Sequence, residues 1–365
     1  VRAYLLITLV TALVTFGATW LVLKLALKYK IYPQIRERDA HKVPTPRLGG
    51  IAMLIGLLVG TLTAASFGWF RSVFDEPMPI IAVLASAVFI AILGFLDDLF
   101  DLDWTLKLAG QFIAAGFMAW QGVQIVSLPI GGVTIASFGV SFVVSVFLTV
   151  LIMNAVNFID GLDGLVAGVV LIGTGVFFIY TYLLAQRTDP TNYFNLGSML
   201  AAIVIGMCLG FLPLNWHRAK IFMGDSGALL LGLLMTAGAL SVTGQIDPAT
   251  ISGNQAVPAL LPLILPLAIL VVPLLDFTLA VVRRLRAGKS PFTADRKHLH
   301  HRLQDFGHGH LGTVLVFYSW TGLISVSCLL FFFVSAKWVA VFFVLGFIAC
   351  MGYTLLPLLR RKVAK

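Results

Sequence analysis

Four polar side chains, Asn154, Asn157, Asp160 and Asp163, stand at a strict spacing of three in the stretch N-A-V-N-F-I-D-G-L-D-G (Asn154–Gly164), with a long apolar run on either side. On an unbroken α-helix three residues turn about 300°, so the fourth group would point away from the first. Gly161 and Gly164 each follow an aspartate, and glycine is where a helix most easily breaks or tightens. The spacing therefore predicts two helix ends meeting, with amide and carboxylate oxygens converging on one pocket. A cation, or a base in need of hydrogen bonds, suits such a pocket. Oxygen-only ligands favour magnesium or manganese over zinc. One Asp-Gly step is an ordinary turn between spans, but two of them preceded by N-x-x-N exceed what a connector needs.

Three other clusters carry chemistry. Asp97-Asp98 closes the apolar run Ile80–Leu96, with Asp101, Asp103 and Lys107 beyond it. Carboxylates sit most cheaply at the end of a span, since a charge at the bilayer centre costs roughly 2.5–3.5 kcal/mol on insertion scales. Yet a helix C-terminus favours cations and adjacent aspartates repel, so the pair points to a bound cation or a proton-transfer role. Gly224-Asp225-Ser226-Gly227 puts an acid in the first turn of another apolar run. Capping is the ordinary use of such an acid, but the small residues around it also let a phosphate or metal approach the backbone. His298-Leu299-His300-His301-Arg302 follows a cationic stretch containing Arg283, Arg284 and Arg286. Leu299, Leu303 and Phe306 form one stripe, which predicts an amphipathic helix lying on the membrane surface and presenting Lys297, His301 and Arg302. A structural zinc site there could draw only on His308 and His310, so cationic phosphate recognition is the better use.

The elements that must position these groups are membrane spans. Of 365 residues, 59% are hydrophobic and 11% charged, and the mean hydropathy is +0.98. Apolar runs of about 20 residues recur throughout, which excludes an ordinary soluble domain. Eleven spans are expected, near 3–27, 49–67, 79–96, 105–122, 138–156, 164–186, 195–213, 225–243, 257–282, 311–334 and 337–359. The first is too long for a signal-peptide core and is expected to be retained. Cys208, Cys328 and Cys350 all fall inside apolar runs and read as buried hydrophobes. With alternating spans, 21 of the 25 Lys and Arg residues fall on one side, leaving Arg2, Arg71, Arg187 and Lys337 on the other. The positive-inside rule then sets the N-terminus outside and the C-terminus in the cytoplasm. The net charge of +9 is thereby a topology signal, and a nucleic-acid partner is not expected. All four polar clusters and every histidine share the cytoplasmic face. On the outer side, Gln121–Ser137 could form a small β-hairpin turning at Gly131-Gly132.

P-T-P-R-L-G-G (Pro44–Gly50), D-D-L-F-D-L with Lys107 and Gln111, N-A-V-N-F-I-D-G-L-D-G, M-G-D-S-G (Met223–Gly227) and S-P-F-T-A-D-R-K-H-L-H-H-R-L (Ser290–Leu303) occur in that order along nearly the whole chain. Together they resemble the polyprenyl-phosphate N-acetylhexosamine-1-phosphate transferase family. The H-L-H-H form, the S-P-F-x-x-D-R lead-in and the eleventh span resemble its bacterial UDP-GlcNAc:undecaprenyl-phosphate GlcNAc-1-phosphate transferases more than the phospho-MurNAc-pentapeptide translocases. The resemblance implies an all-α polytopic enzyme, one integral domain over 1–365, in the bacterial cytoplasmic (inner) membrane. Its reaction would move GlcNAc-1-phosphate from UDP-GlcNAc to undecaprenyl phosphate, releasing UMP and starting an O-antigen, a common antigen or teichoic acid. It implies catalytic roles for Asp97 and Asp98, and magnesium held by Asn157 and Asp225 against the diphosphate. Asp160 and Asp163 would shape the uridine pocket. Lys107, His298, His300, His301 and Arg302 would meet phosphates and sugar, and Asn154, Arg283 and Arg284 join the substrate-binding set. A homodimer is the family's implied assembly. Direct attack by the lipid phosphate and a phospho-enzyme route are both open.

Two rival readings are weaker. A cation-coupled transporter would keep its carboxylates near the bilayer midplane, and only Asp276 lies well inside a span. A CDP-alcohol phosphotransferase would need an arginine shortly after the first Asp-Gly, where Leu165-Val166-Ala167 offers none.

Overall fold

The computed structural model describes residues 1–32, 45–128, 134–135, 137–188, 194–243 and 299–363, together with 271, 278, 282–286 and 288. The helices are α1 (Arg2–Tyr29), α2 (Gly49–Ser66), α3 (Arg71–Asp75), α4 (Pro77–Phe100), α5 (Trp104–Trp120), α6 (Phe138–Phe158), α7 (Leu165–Thr188), α8 (Leu196–Asn215) and α9 (Gly224–Thr243). After them come α10 (Leu299–Phe306), α11 (His310–Leu330) and α12 (Ala336–Val363). Among the described residues nine helices are long and apolar enough to cross a membrane: α1, α2, α4, α6, α7, α8, α9, α11 and α12. With α5, at 17 residues, they cover ten of the eleven expected spans. The ninth expected span lies almost wholly outside the described residues, and so does Asp276. The protein is an all-α polytopic membrane protein.

α9 is the centre of the bundle. It packs on α2, α4, α6, α7 and α8, and only Asp225 and Ser241 along it are not buried. Its sequence is small and apolar on every face, as a helix with neighbours all round must be. At Gly232 an added Cβ would come within 2.6 Å of the Met153 Cα, so α6 and α9 touch backbone to backbone. α12 is the opposite case. It packs on α10 and α11 and leaves most of its apolar surface exposed, as a lipid-facing helix does.

α1 shows how a bilayer inverts the usual pattern. Leu5, Leu9 and Leu13 face outward, while Thr11, Thr15 and Thr19 are fully buried. Lipid tails solvate leucine as well as a protein core does, so close contact between small residues drives the association instead. Gly56 and Gly60 of α2 and Gly206 and Gly210 of α8 meet this threonine stripe. The far end of α1 is held by rings: Tyr4 packs edge-on against Phe70 and Phe178 and stacks on Phe194.

The outer connector does contain a two-stranded antiparallel ribbon, Ser127–Leu128 paired with Thr134–Ile135. Its expected Gly131-Gly132 turn lies outside the described residues. The expectation for α10 needs correcting. Its stripe of Leu299, Leu303 and Phe306 packs into the protein core beside α11 and α12, with Leu303 buried, so the apolar face meets protein instead of lipid.

Gly206→Val is expected to destabilise the bundle by roughly 1–3 kcal/mol through overpacking. Its Cβ would lie 2.6 Å from the Thr8 carbonyl oxygen and 2.7 Å from the Thr11 Cβ. Gly175→Ala, with nothing within 4 Å, should be neutral or stabilising. Thermal unfolding of both variants in detergent checks the contrast.

Candidate active site

One end of the bundle gathers the polar segments. Residues 46–50 run against 222–223: the Phe222 N–H donates to the Pro46 carbonyl (2.8 Å), and Gly49 and Gly50 donate to the carbonyls of Phe222 and Met223 (both 2.9 Å). An added Cβ at Gly50 or Gly94 would collide with Ser226, so both glycines are what let α2 and α4 reach the start of α9.

Asp97 and Asp98 leave the end of α4 in different directions. Asp98 turns to α9, where its carboxylate accepts the backbone N–H of Asp225 (3.1 Å) and of Ser226 (3.3 Å). A carboxylate that opposes the dipole of its own helix thus meets the positive end of another. Asp97 accepts the Leu102 N–H through Oδ1 (2.9 Å) and the Lys107 ammonium through Oδ2 (2.8 Å). Lys107 also reaches Asp225 Oδ2 at 3.5 Å. Asp97 and Asp225 share the Lys107 ammonium, and Asn157 stands beside Asp225 at the end of α6. Two carboxyls in contact need a proton or cation between them. Asp101 and Asp103 stay at the α4–α5 turn: Asp101 takes a left-handed conformation, and Asp103 caps α5 by accepting the Thr105 N–H (2.8 Å).

The α6–α7 connection breaks as its sequence requires, at Phe158 instead of Gly161, and Gly164 supplies the positive φ of 73°. Its four polar groups separate three ways. Asn157 and Asp160 look to the carboxylate cluster. Burial, with the charges of Asp225 and Asp98, pushes the Asp160 carboxyl up to about 8, and the Arg47 charge opposes this. Asn154 bonds Gln111 of α5 and the Val150 carbonyl. Asp163 accepts the N–H groups of Arg218 (3.0 Å) and Ala219 (3.1 Å), pinning the turn after α8. Asp163 is therefore 4% exposed and committed to backbone. The expected convergence of all four on one pocket holds for two of them.

The basic segment is only partly described. His298 lies outside the described residues, as do the side chains of His300 and His301. Arg302 is exposed on α10. Arg284 is 6% exposed and Arg283 half-buried, so neither stands out in solvent as a plain surface anchor would. In the sequence Arg47 reads as a topology charge, although its charge acts on both Asp98 and Asp160. His310 enters the sequence reading only as a possible zinc ligand and Asn215 not at all, yet their side chains bond the backbone of Asp163 and Gly164. Arg47 is visible within P-T-P-R-L-G-G; the contacts that the other two make carry no signal in the sequence.

Among the described residues no three of His, Cys, Asp and Glu group as a metal cage. The donor set of Asp225, Asn157 and Asp97 nevertheless fits magnesium, which takes one or two protein carboxylates and completes its shell with water and substrate phosphates.

A model of glycosyl transferase family 4 matches residues 80–243, the stretch from α4 through α9 that holds these carboxylates, Lys107 and Asn157. The chain is 39% identical over 368 residues to a decaprenyl-phosphate N-acetylglucosaminephosphotransferase of Mycobacterium leprae, covering 99% of this chain and 92% of that one. It is 32% identical over 327 residues to a probable undecaprenyl-phosphate N-acetylglucosaminyl 1-phosphate transferase of Bacillus subtilis, covering 89% and 83%. A phospho-N-acetylmuramoyl-pentapeptide-transferase of Halalkalibacterium halodurans matches at 30% over 321 residues, covering 83% and 90%. Fold and likeness together define a membrane-embedded glycosyl-1-phosphate transferase. The chain belongs to the polyprenyl-phosphate N-acetylhexosamine-1-phosphate transferase family.

Gly224 sets the approach of α4 to α9. Its φ is +70°, and an added Cβ would lie 2.3 Å from Asp98 Oδ2 and 2.6 Å from the Arg47 carbonyl oxygen. Gly224→Ala is expected to cut turnover roughly a hundredfold, since misplacement by about 1 Å costs on that order. Gly139→Ala, which meets nothing within 4 Å, should leave turnover unchanged in the same assay.

Proposed function

We propose that the protein transfers GlcNAc-1-phosphate from UDP-GlcNAc to a polyprenyl phosphate, releasing UMP. The observation that carries this is the Asp97–Lys107–Asp225 cluster with Asn157 beside it, at a bundle end where a soluble and a membrane-bound substrate can meet. Relatives named for decaprenyl and for undecaprenyl phosphate both support a long isoprenoid carrier. The same relatives support GlcNAc as the sugar.

In this reading a phosphate oxygen of the lipid attacks the β-phosphorus of the donor. The bond from that phosphorus to the bridging oxygen breaks, and UMP leaves. One diphosphate is lost and one made, so positioning and charge provide the rate. Lys107 brings positive charge to the phosphates and keeps Asp97 in place. Asp97 is the carboxylate placed to handle a proton on the acceptor phosphate. Asp98, with both oxygens on backbone N–H groups, positions Asp225. Asp225 and Asn157, with Asp97 adjoining, would hold magnesium, which supplies charge neutralisation at the diphosphate when bound. Asp160, on the same connection as Asn157, is suited to hydrogen-bond the nucleotide base. Arg47, Arg283, Arg284 and the His298–Arg302 segment supply the remaining positive charge.

The charge asymmetry supports a cytoplasmic site, and a reporter fused after Lys365 should read cytoplasmic. Purified protein with UDP-GlcNAc, polyprenyl phosphate and magnesium should release UMP, and omission of any one should stop turnover. Asp97→Asn, Asp98→Asn or Asp225→Asn should each abolish it. UMP released stoichiometrically without acceptor would mark a phospho-enzyme. No UMP from folded protein would overturn the assignment. UDP-GalNAc and the MurNAc-pentapeptide donor test the sugar, and decaprenyl against undecaprenyl phosphate tests the carrier.

A further inference from the structure

α11 is remote from the carboxylate cluster in sequence, yet it grips the α6–α7 turn at two points. At its first residue, the His310 Nε2 accepts the backbone N–H of Asp163 at 3.1 Å. Two turns along, the Tyr318 hydroxyl donates to the Gly164 carbonyl, and Tyr318 fills the space beside Gly168, where an added Cβ would collide with it. From the other side the turn is held by Asn215, whose Oδ1 accepts the Gly164 N–H at 3.0 Å. The Asp163 carboxylate passes the hold on to the backbone of Arg218 and Ala219. The backbone at 163–164 is thus fixed from two elements, the turn after α8 and the start of α11. Asp160 stands three residues before the His310 contact, and its own N–H closes on the Asn157 carbonyl at 3.1 Å.

The chemistry of the histidine is specific. An Nε2 that accepts a hydrogen bond is unprotonated, so the ring is neutral with its proton on Nδ1. The Asp163 carboxylate lies 3.8 Å from the same nitrogen and the His217 ring centroid 5.9 Å from that of His310. A residue kept only for packing would not need to present a lone pair to a backbone donor at a turn.

We propose that His310 is a positioning residue for the donor nucleotide, acting through the Asp163 N–H to fix the turn that carries Asp160, with Tyr318 as its second anchor. This deepens the proposed function and rests on the assignment of the α6–α7 turn to the nucleotide. Loss of the acceptor removes one of the holds on the turn, so donor binding suffers more than the chemical step.

The test compares His310→Leu, His310→Gln and Tyr318→Phe in the full-length protein. His310→Leu is expected to raise the KM for UDP-GlcNAc about tenfold with kcat within about twofold. Amide exchange in peptides covering residues 159–164 should accelerate in parallel. His310→Gln, which restores a side-chain acceptor, should recover both. Tyr318→Phe, which keeps the ring, should move both in the same direction by less. Unchanged exchange and KM in His310→Leu would overturn the proposal. So would glutamine failing as badly as leucine, or KM and kcat falling together with thermal stability, since these mark a purely structural residue. The exchange readout needs no turnover, so an accelerated turn in a protein that releases no UMP would refute the proposed reaction and leave the grip of α11 on the turn standing.

Discussion

The arrangement depends on one contact, the Asp98 carboxylate on the first N–H groups of α9. A carboxylate at the end of α4 is unfavourable by itself. A helix N-terminus buried among five other helices is unfavourable too, because its N–H groups lack partners. Each satisfies the other. In a low-dielectric interior such a charge-assisted contact is stronger than at a surface, and its loss would leave both groups stranded. It also places Asp97 and Asp225 side by side. Gly50, Gly94 and Gly224 are its steric condition, since a Cβ at any of them would occupy space taken by Ser226 or Asp98.

The bilayer explains how so many polar groups can end on one level. Apolar side chains on the outside of α1 and α12 gain nothing by leaving lipid, so the bundle is assembled by close backbone approach at glycines and threonines. Such packing is intolerant of slippage. A shift of one residue between α4 and α9 would move Asp98 off the helix start and Asp225 away from Lys107.

Several features were legible in the chain. Ten spans agree with described helices because a run of about 20 apolar residues has few other fates. The position of the α6–α7 break was legible to within a few residues from two Asp-Gly steps. Lys107 and Asp97–Asp98 could be assigned to one cluster by motif order, though not to one another. What was not legible were the partners chosen by groups of like chemistry. Asn154 and Asn157 differ by one helical turn, yet one bonds Gln111 and the other stands beside Asp225. Asp160 and Asp163 each sit before a glycine, yet one faces carboxylates and the other two backbone amides. The α10 stripe is equally compatible with lipid or protein as its apolar partner, and only the placement of α11 and α12 decides it.

The sequence by itself determined the membrane class, ten of the spans and the polar clusters from which a site could be drawn. Periodicity, apolar length and charge asymmetry are local quantities and survive without a fold. The tertiary structure alone decided that Asp98 caps a helix while Asp97 meets Lys107. It also decided that Asp163 holds a turn while Asp160 faces the carboxylates, and that His310 reaches back 147 residues to a backbone amide. The physical reason is that a carboxylate or an imidazole can serve several partners at similar cost. Which one it serves is set by which backbone atoms the glycine contacts bring within about 3 Å.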